Sequence, residues 1–159
     1  VKVSEIAMYA DSITFCLSKG LGCPIGSILA GSKEFIKEAR RIRKALGGGM
    51  RQAGILAAAG FYALENNISK LKTDHAHAEI LAKLLQKYNQ EIEYPETNIL
   101  IWKPKVVAAG IIQDLKSRGL LTGPIGENGI RLATHLDITP EDIKKIIDLL
   151  SEYLSGEKK

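Results

Sequence analysis

Lys19 is the residue whose setting most invites chemistry. Ile13, Phe15 and Leu17 alternate with Thr14, Cys16 and Ser18, which is the period of a strand. The run breaks at Lys19 and passes into Gly20 and Gly22, so an amine stands where a strand ends and a flexible turn begins. At the mouth of a buried strand an ammonium is partly desolvated, which favours the neutral amine and frees its lone pair to attack a carbonyl carbon. The flanking glycines let the bulk of a ligand approach the backbone. The other reading is a lysine that only marks the end of a strand, and spacing alone leaves both open.

Arg131 is the second candidate. In Ile130-Arg131-Leu132 a guanidinium stands between two aliphatic residues, and such a group forks onto a carboxylate through two parallel hydrogen bonds. An arginine on an edge strand is the plainer reading. The basic stretch Lys37-Glu38-Ala39-Arg40-Arg41-Ile42-Arg43-Lys44 could meet nucleic acid, but Glu34 and Glu38 break its charge and no aromatic residue offers a stacking platform. A solvated helix face explains it better. His75 and His77 stand two apart on a predicted helix and point in different directions, so they do not chelate as an i, i+4 pair would. His75 falls on the apolar stripe as a core-edge residue, and His135 reads as structural or as support to a site. The sequence shows no Ser-His-Asp constellation, no phosphate loop of the Walker type and no placeable carboxylate pair, so no metal site is expected.

Three longer stretches carry more information together. Ser18-Lys19-Gly20-Leu21-Gly22-Cys23-Pro24-Ile25-Gly26-Ser27 leads into Lys44-Ala45-Leu46-Gly47-Gly48-Gly49-Met50-Arg51-Gln52-Ala53-Gly54, and Ile130-Arg131-Leu132-Ala133-Thr134-His135-Leu136-Asp137 follows near the end. In this order they resemble the low-specificity threonine aldolases, pyridoxal-phosphate enzymes of the aspartate-aminotransferase fold type (fold type I). The resemblance implies an α/β chain in which residues 1–67 are the C-terminal part of the large cofactor-binding domain and 68–159 a small α/β domain. It implies pyridoxal 5'-phosphate held covalently by Lys19, with Arg51 directed at the cofactor. Lys44 and Arg131 would serve the substrate, Arg131 by holding the α-carboxylate of the amino acid. Lys44 and Arg51 would reach across the dimer interface of a homo-oligomer, where cationic groups suit a phosphate and a carboxylate.

The activity implied is cleavage of threonine or allo-threonine to glycine and acetaldehyde. Val1 falls near what would be the middle of a family member. The phosphate-cradling loop, the ring-stacked histidine and the acid at the pyridine nitrogen would then come from a front half, and activity is expected only together with it. A non-catalytic oligomerisation or partner-binding module using the basic helix is the alternative from a different class.

Composition agrees with a globular protein: 159 residues, 45% apolar and 25% charged. A net charge of +4, from 22 basic and 18 acidic residues, is too mild for a nucleic-acid binder. Cys16 and Cys23 suit reduced cytoplasmic thiols better than a disulfide framework. No membrane span or signal peptide is read from the chain.

The elements that must position these residues follow in order. A helix tail or loop covers Val1 to Ala10, and a second strand at Ile25–Ala30 lies beside the lysine strand. Both strands are apolar enough for a sheet covered on both faces. The resemblance places the flanking strands in the front half, so this chain alone is expected to expose the edges and faces of a partial sheet. Ser32 caps a helix that runs through Arg43 and ends at the glycine triplet, and another helix spans 51–65. A boundary falls near Asn67. Ile68 to Tyr88 carries the stripe Ile68, Leu71, His75, Ala78, Leu81, Ala82 and Leu85. Strands at Asn98–Trp102 and Gly129–Thr134, a helix at Val106–Ser117 and a capped helix from Thr139-Pro140 complete a small α/β domain.

Overall fold

The computed structural model of the chain describes residues 1–156, so the last three positions of the expected 68–159 unit lie outside the described residues. Two compact units meet in sequence at Ile68 and Ser69.

The first unit contains α1 (Val3–Ala7), β1 (Ser12–Cys16), β2 (Ser27–Gly31), α2 (Lys33–Ala45) and α3 (Gly54–Asn66). β1 and β2 form an antiparallel ribbon with Ser12 opposite Gly31 and Cys16 opposite Ser27. The connection is tied by backbone: Leu17 N–H donates to Gly26 O at 2.9 Å, and Cys23 N–H donates to Leu17 O at 3.1 Å. The expected neighbourhood of the two strands is present, and both faces are open, as expected for this chain taken alone. Along both strands every residue except the half-buried Ser12 is exposed. A two-stranded ribbon has no flanking strands to bury its faces, and the apolar burial of this unit gathers at the turn instead, in Leu17, Leu21, Cys23 and Ala63.

Ser32 caps α2 as its sequence suggests, its Oγ accepting from Phe35 N–H at 3.2 Å. The helix closes at the glycine triplet, where Gly48 N–H donates to Arg43 O at 2.8 Å. α3 starts at Gly54, later than expected, because Arg51–Ala53 form a turn in which Gln52 has φ 53°.

A 3₁₀ turn at Ile68–Lys70 leads into the second unit: α4 (Leu71–Lys87), β3 (Glu91–Glu93), β4 (Ile99–Lys103), α5 (Ala108–Ser117), β5 (Gly123–Ile125), β6 (Gly129–Ala133) and α6 (Pro140–Ser155). The four strands pair antiparallel in the order β3-β4-β6-β5. β3 and β5 escape a periodicity reading, being three residues each. Pro124 has no N–H for a second neighbour, which suits β5 to the sheet edge it occupies.

Leu100, Trp102, Ile130 and Leu132 point from the sheet into a core completed by Leu81 and Leu85 of α4, Leu115 of α5, and Ile143 and Leu150 of α6. The indole of Trp102 is not left unsatisfied: its Nε1–H donates to Gln90 Oε1 at 3.0 Å. α6 opens with a full capping box, Asp142 N–H donating to Thr139 Oγ1 at 3.2 Å and Thr139 N–H donating to Asp142 Oδ2 at 3.1 Å. The Thr139 hydroxyl donating to Asp142 Oδ2 at 2.7 Å, then the Thr139 N–H and Lys145, hold the Asp142 carboxyl below its ordinary range.

Truncating Leu85, which is fully buried in this core, is expected to cost about 2–5 kcal/mol because the helix and sheet around it cannot collapse into the void. Urea unfolding of Leu85→Ala against the parent checks this, with Thr139→Ala expected to give a smaller loss.

Candidate active site

Lys19 sits on the turn that the first unit's core is built around. Leu17 and Leu21 are buried on either side of it, and Gly22 N–H donates to Lys19 O at 2.8 Å. Beneath the turn, Asn67 Nδ2–H donates to Leu21 O at 2.8 Å, and Cys23 Sγ–H donates to Ala59 O at 3.5 Å. Gly60 lets α3 approach this closely, since a Cβ there would lie 3.2 Å from Leu17 Cδ1. The lysine's backbone is therefore anchored from both sides while its side chain is exposed. The partial desolvation expected of Lys19 is absent from this unit. The reason is local: β1 ends at Cys16, and Lys19 projects from the turn beyond the strand.

Lys44 lies in the last turn of α2, and the glycine triplet folds back along it: a Cβ at Gly49 would meet the Lys44 side chain at 3.6 Å. Arg51 lies in the turn before α3 and not within a helix. Both are exposed. Among the described residues no hydrogen bond or ion pair joins Lys19, Lys44 and Arg51 to one another or to an acid. Arg41 differs from them, its guanidinium 2.6 Å from Glu38 and its pKa raised by that bond.

Arg131 is placed by the ladder of the second unit. It stands opposite Ile101 on one side and Gly123 on the other, between core residues Ile130 (0% exposed) and Leu132 (5%). Because side chains alternate along a strand, Arg131 must leave from the face away from the helices, and it is exposed there. The nearest acid in its cross-strand row, Glu93, is engaged by Lys103 Nζ at 2.6 Å. Among the described residues Arg131 has no carboxylate partner.

A polar cluster in the second unit escapes the sequence reading. Asp74 (3% exposed) and His77 (6%) are buried on α4, and Asp74 Oδ2 and His77 Nδ1 find no hydrogen-bond partner among the described residues. Thr134 Oγ1–H donates to Asp74 O at 2.6 Å, tying the end of β6 to the first turn of α4. Burial pushes the Asp74 carboxyl up, while His77, His135 and His75 pull it partly back. The expected core-edge position of His75 is corrected: His75 is exposed and His77 takes the inner face. The signal lay in the spacing, since Asp74, His77, Ala78, Leu81 and Leu85 form one helical stripe that leaves His75 outside. His135 is exposed, its Nδ1 3.5 Å from Asp137 Oδ2. It lines a cavity of about 410 Å³ with Leu81, Leu132, Thr134 and Ile146. No group of three or more metal-ligating side chains assembles among the described residues.

Residues 1–105 match the family described as beta-eliminating lyase. The chain belongs to that family. It is 44% identical over 148 residues to the low specificity L-threonine aldolase of Escherichia coli K12, covering 91% of this chain and 43% of that protein. With low-specificity L-threonine aldolase 1 of Arabidopsis thaliana it shares 38% identity over 150 residues, 90% of this chain and 42% of that one. The chain thus spans about two-fifths of the length of these curated relatives. The likeness to threonine aldolases carried by the Lys19, Lys44–Gly54 and Ile130–Asp137 stretches is therefore present along most of the chain.

Solved structures share the fold. A candidate L-allo-threonine aldolase of Listeria monocytogenes superposes with a TM-score of 0.74 at 19% identity, over 96% of this chain and 47% of that one. An aspartate aminotransferase of Thermus thermophilus gives a TM-score of 0.70 at 17% identity, over 95% of this chain and 51% of that one. The fold class is the α/β fold of the aspartate-aminotransferase type. No helix among the described residues is long and apolar enough to cross a membrane.

Asp74 generates a pH prediction. Its folded-state pKa is raised, so the unfolded chain gives up this proton first and the parent loses stability as pH climbs from the ordinary aspartate range through the raised value. Asp74→Asn does not titrate. The stability of the variant relative to the parent should increase over that window and then level off, as read by denaturant unfolding in a pH series that starts in the ordinary aspartate range. A flat difference would show that Asp74 is not desolvated.

Proposed function

We propose that these residues belong to a pyridoxal-phosphate-dependent carbon–carbon lyase that cleaves threonine or allo-threonine to glycine and acetaldehyde. The observation that carries the reading is Lys19. Among the described residues it is an unpaired primary amine on an anchored turn, within a chain 44% identical to a low specificity L-threonine aldolase. The reading concerns the complete protein, since the chain spans 43% of that relative's length.

The donor set suits the cofactor. A free lysine amine, two exposed cations at the glycine triplet and an exposed guanidinium are the groups that a carbonyl, a phosphate and a carboxylate require. Lys19 Nζ would hold the cofactor by its carbonyl carbon, and Arg51 would face its phosphate. When bound, pyridoxal 5'-phosphate supplies an electron sink for the pair released as the substrate's Cα–Cβ bond breaks.

The protein's part is geometry. The Arg131 fork would take the α-carboxylate through two parallel bonds and fix the rotation of the amino acid, so that the bond to be broken is held in one orientation. Lys44 would add positive charge for the substrate. Lys44 and Arg51 are exposed and, among the described residues, unpaired, which suits a role across an interface in a homo-oligomer. The free thiols of Cys16 and Cys23 suit the cytoplasm.

Borohydride reduction of the complete enzyme with its cofactor, followed by peptide mapping, is expected to leave the pyridoxyl group on Lys19. A label on another lysine overturns the assignment. Arg131→Lys keeps the charge but loses the fork. Losing one hydrogen bond to a charged group costs about 1.5–3 kcal/mol, so KM for threonine should rise about ten- to a hundredfold while the cofactor absorbance stays. An unchanged KM removes Arg131 from the substrate site.

A further inference from the structure

Glycines are found in strands where backbone conformation or close approach demands them, and elsewhere they weaken the strand. The β5–β6 ladder holds one of each kind. Gly129 is demanded, because a Cβ there would lie 2.5 Å from Ile125 O. Gly123, at the other end of β5, is not. It is a regular strand residue, is not among the positive-φ glycines, and a Cβ there would meet no heavy atom within 4 Å beyond its chain neighbours. Nothing among the described residues of the second unit requires the side chain to be missing.

The register says what the missing side chain leaves open. Gly123 stands directly opposite Arg131, and directly opposed residues of an antiparallel pair project to the same face with their Cβ positions about 4.5–5.5 Å apart. On its other side Arg131 is flanked by the half-buried Ile101, beyond which Glu93 is occupied by Lys103. Arg131 is thus walled on the β4 side and bare on the β5 side.

We propose that Gly123 is a specificity-determining residue that keeps the β5 flank of Arg131 open for the carboxylate end of an amino-acid substrate. The inference rests on the reading of Arg131 as the carboxylate-binding residue. A Cβ at 123 touches nothing within 4 Å, but a side chain that extends beyond Cβ would reach the space beside the arginine stem and fill the approach to the guanidinium. Alanine would narrow it, and a branched side chain would close it.

The test uses Gly123→Ala and Gly123→Val in the complete enzyme, with Arg131→Lys measured beside them. Valine is a better strand former than glycine, so Tm and the cofactor absorbance should hold or improve. KM for threonine should rise on the order of tenfold for Gly123→Val, as for an extra methylene group in a filled site, and less for Gly123→Ala. A readout independent of turnover is labelling of Arg131 by phenylglyoxal, located by peptide mapping: glycine should protect Arg131 in the parent and fail to do so in Gly123→Val. Parental KM and protection in Gly123→Val, with Arg131→Lys impaired, overturn the inference alone. A lower Tm in both glycine variants overturns it too, by giving Gly123 a structural task. If Arg131→Lys also leaves KM unchanged, the carboxylate reading fails and takes the inference with it.

Discussion

The antiparallel ladder between β4 and β6 is the constraint on which the second unit depends. Leu100 faces Leu132 and Trp102 faces Ile130 across it, and all four side chains are buried against the helices. With a period of two, burying Ile130 and Leu132 leaves Arg131 only the opposite face. A slip of one residue would send the guanidinium into the core and two aliphatic side chains into water, at a cost no local interaction could offset. The position of the arginine is thus set by the hydrophobic energy of its neighbours.

The first unit solves a different problem with less apolar material. Its lysine needs a fixed backbone and a free side chain. The fixed backbone comes from Leu17 and Leu21 packed under the turn, from the Leu17–Gly26 and Cys23–Leu17 hydrogen bonds, and from the Asn67 amide on Leu21 O. α3 can reach this close only because its contact face is built of small residues, Gly60 and Ala63. A bulkier α3 would lift the turn, and the amine with it. Among the cations of this unit, Arg41 is bound by Glu38, while the three site candidates Lys19, Lys44 and Arg51 have no acid partner among the described residues. Coulomb attraction for an anionic ligand is strongest where no fixed acid has already neutralised the cation.

α4 shows a polar group used inside a core. Asp74 enters the helix in its first turn, where the positive end of the helix dipole favours an acid. Burial works against that charge, and the three histidines relieve it in part. The Thr134 hydroxyl on Asp74 O ties the end of the β6 strand to the beginning of α4. The strand that orients Arg131 is thereby tied at its C-terminal end to the start of α4.

Much of this was legible from local chemistry. Ser32 and Thr139 announced their helices because a hydroxyl or carboxylate three residues from a helical N–H satisfies a backbone donor wherever the chain lies. The order of three stretches pointed to the family, whereas the plainer reading of Arg131 as an edge-strand residue gives way to an interior one, because β5 pairs outside β6. Other features needed the folded chain. Whether β1 and β2 are covered depends on which other segments reach them, and their apolar pattern is the same in a ribbon and in a buried sheet. His77 and not His75 turned inward because Asp74 and Ala78 set the phase of the stripe, a choice that a two-residue spacing leaves open. β5 was invisible because a glycine and a proline argue against a strand until β6 offers its edge. That Gly123 stands opposite Arg131 follows from the pairing register, which joins residues eight apart and is set by long-range packing.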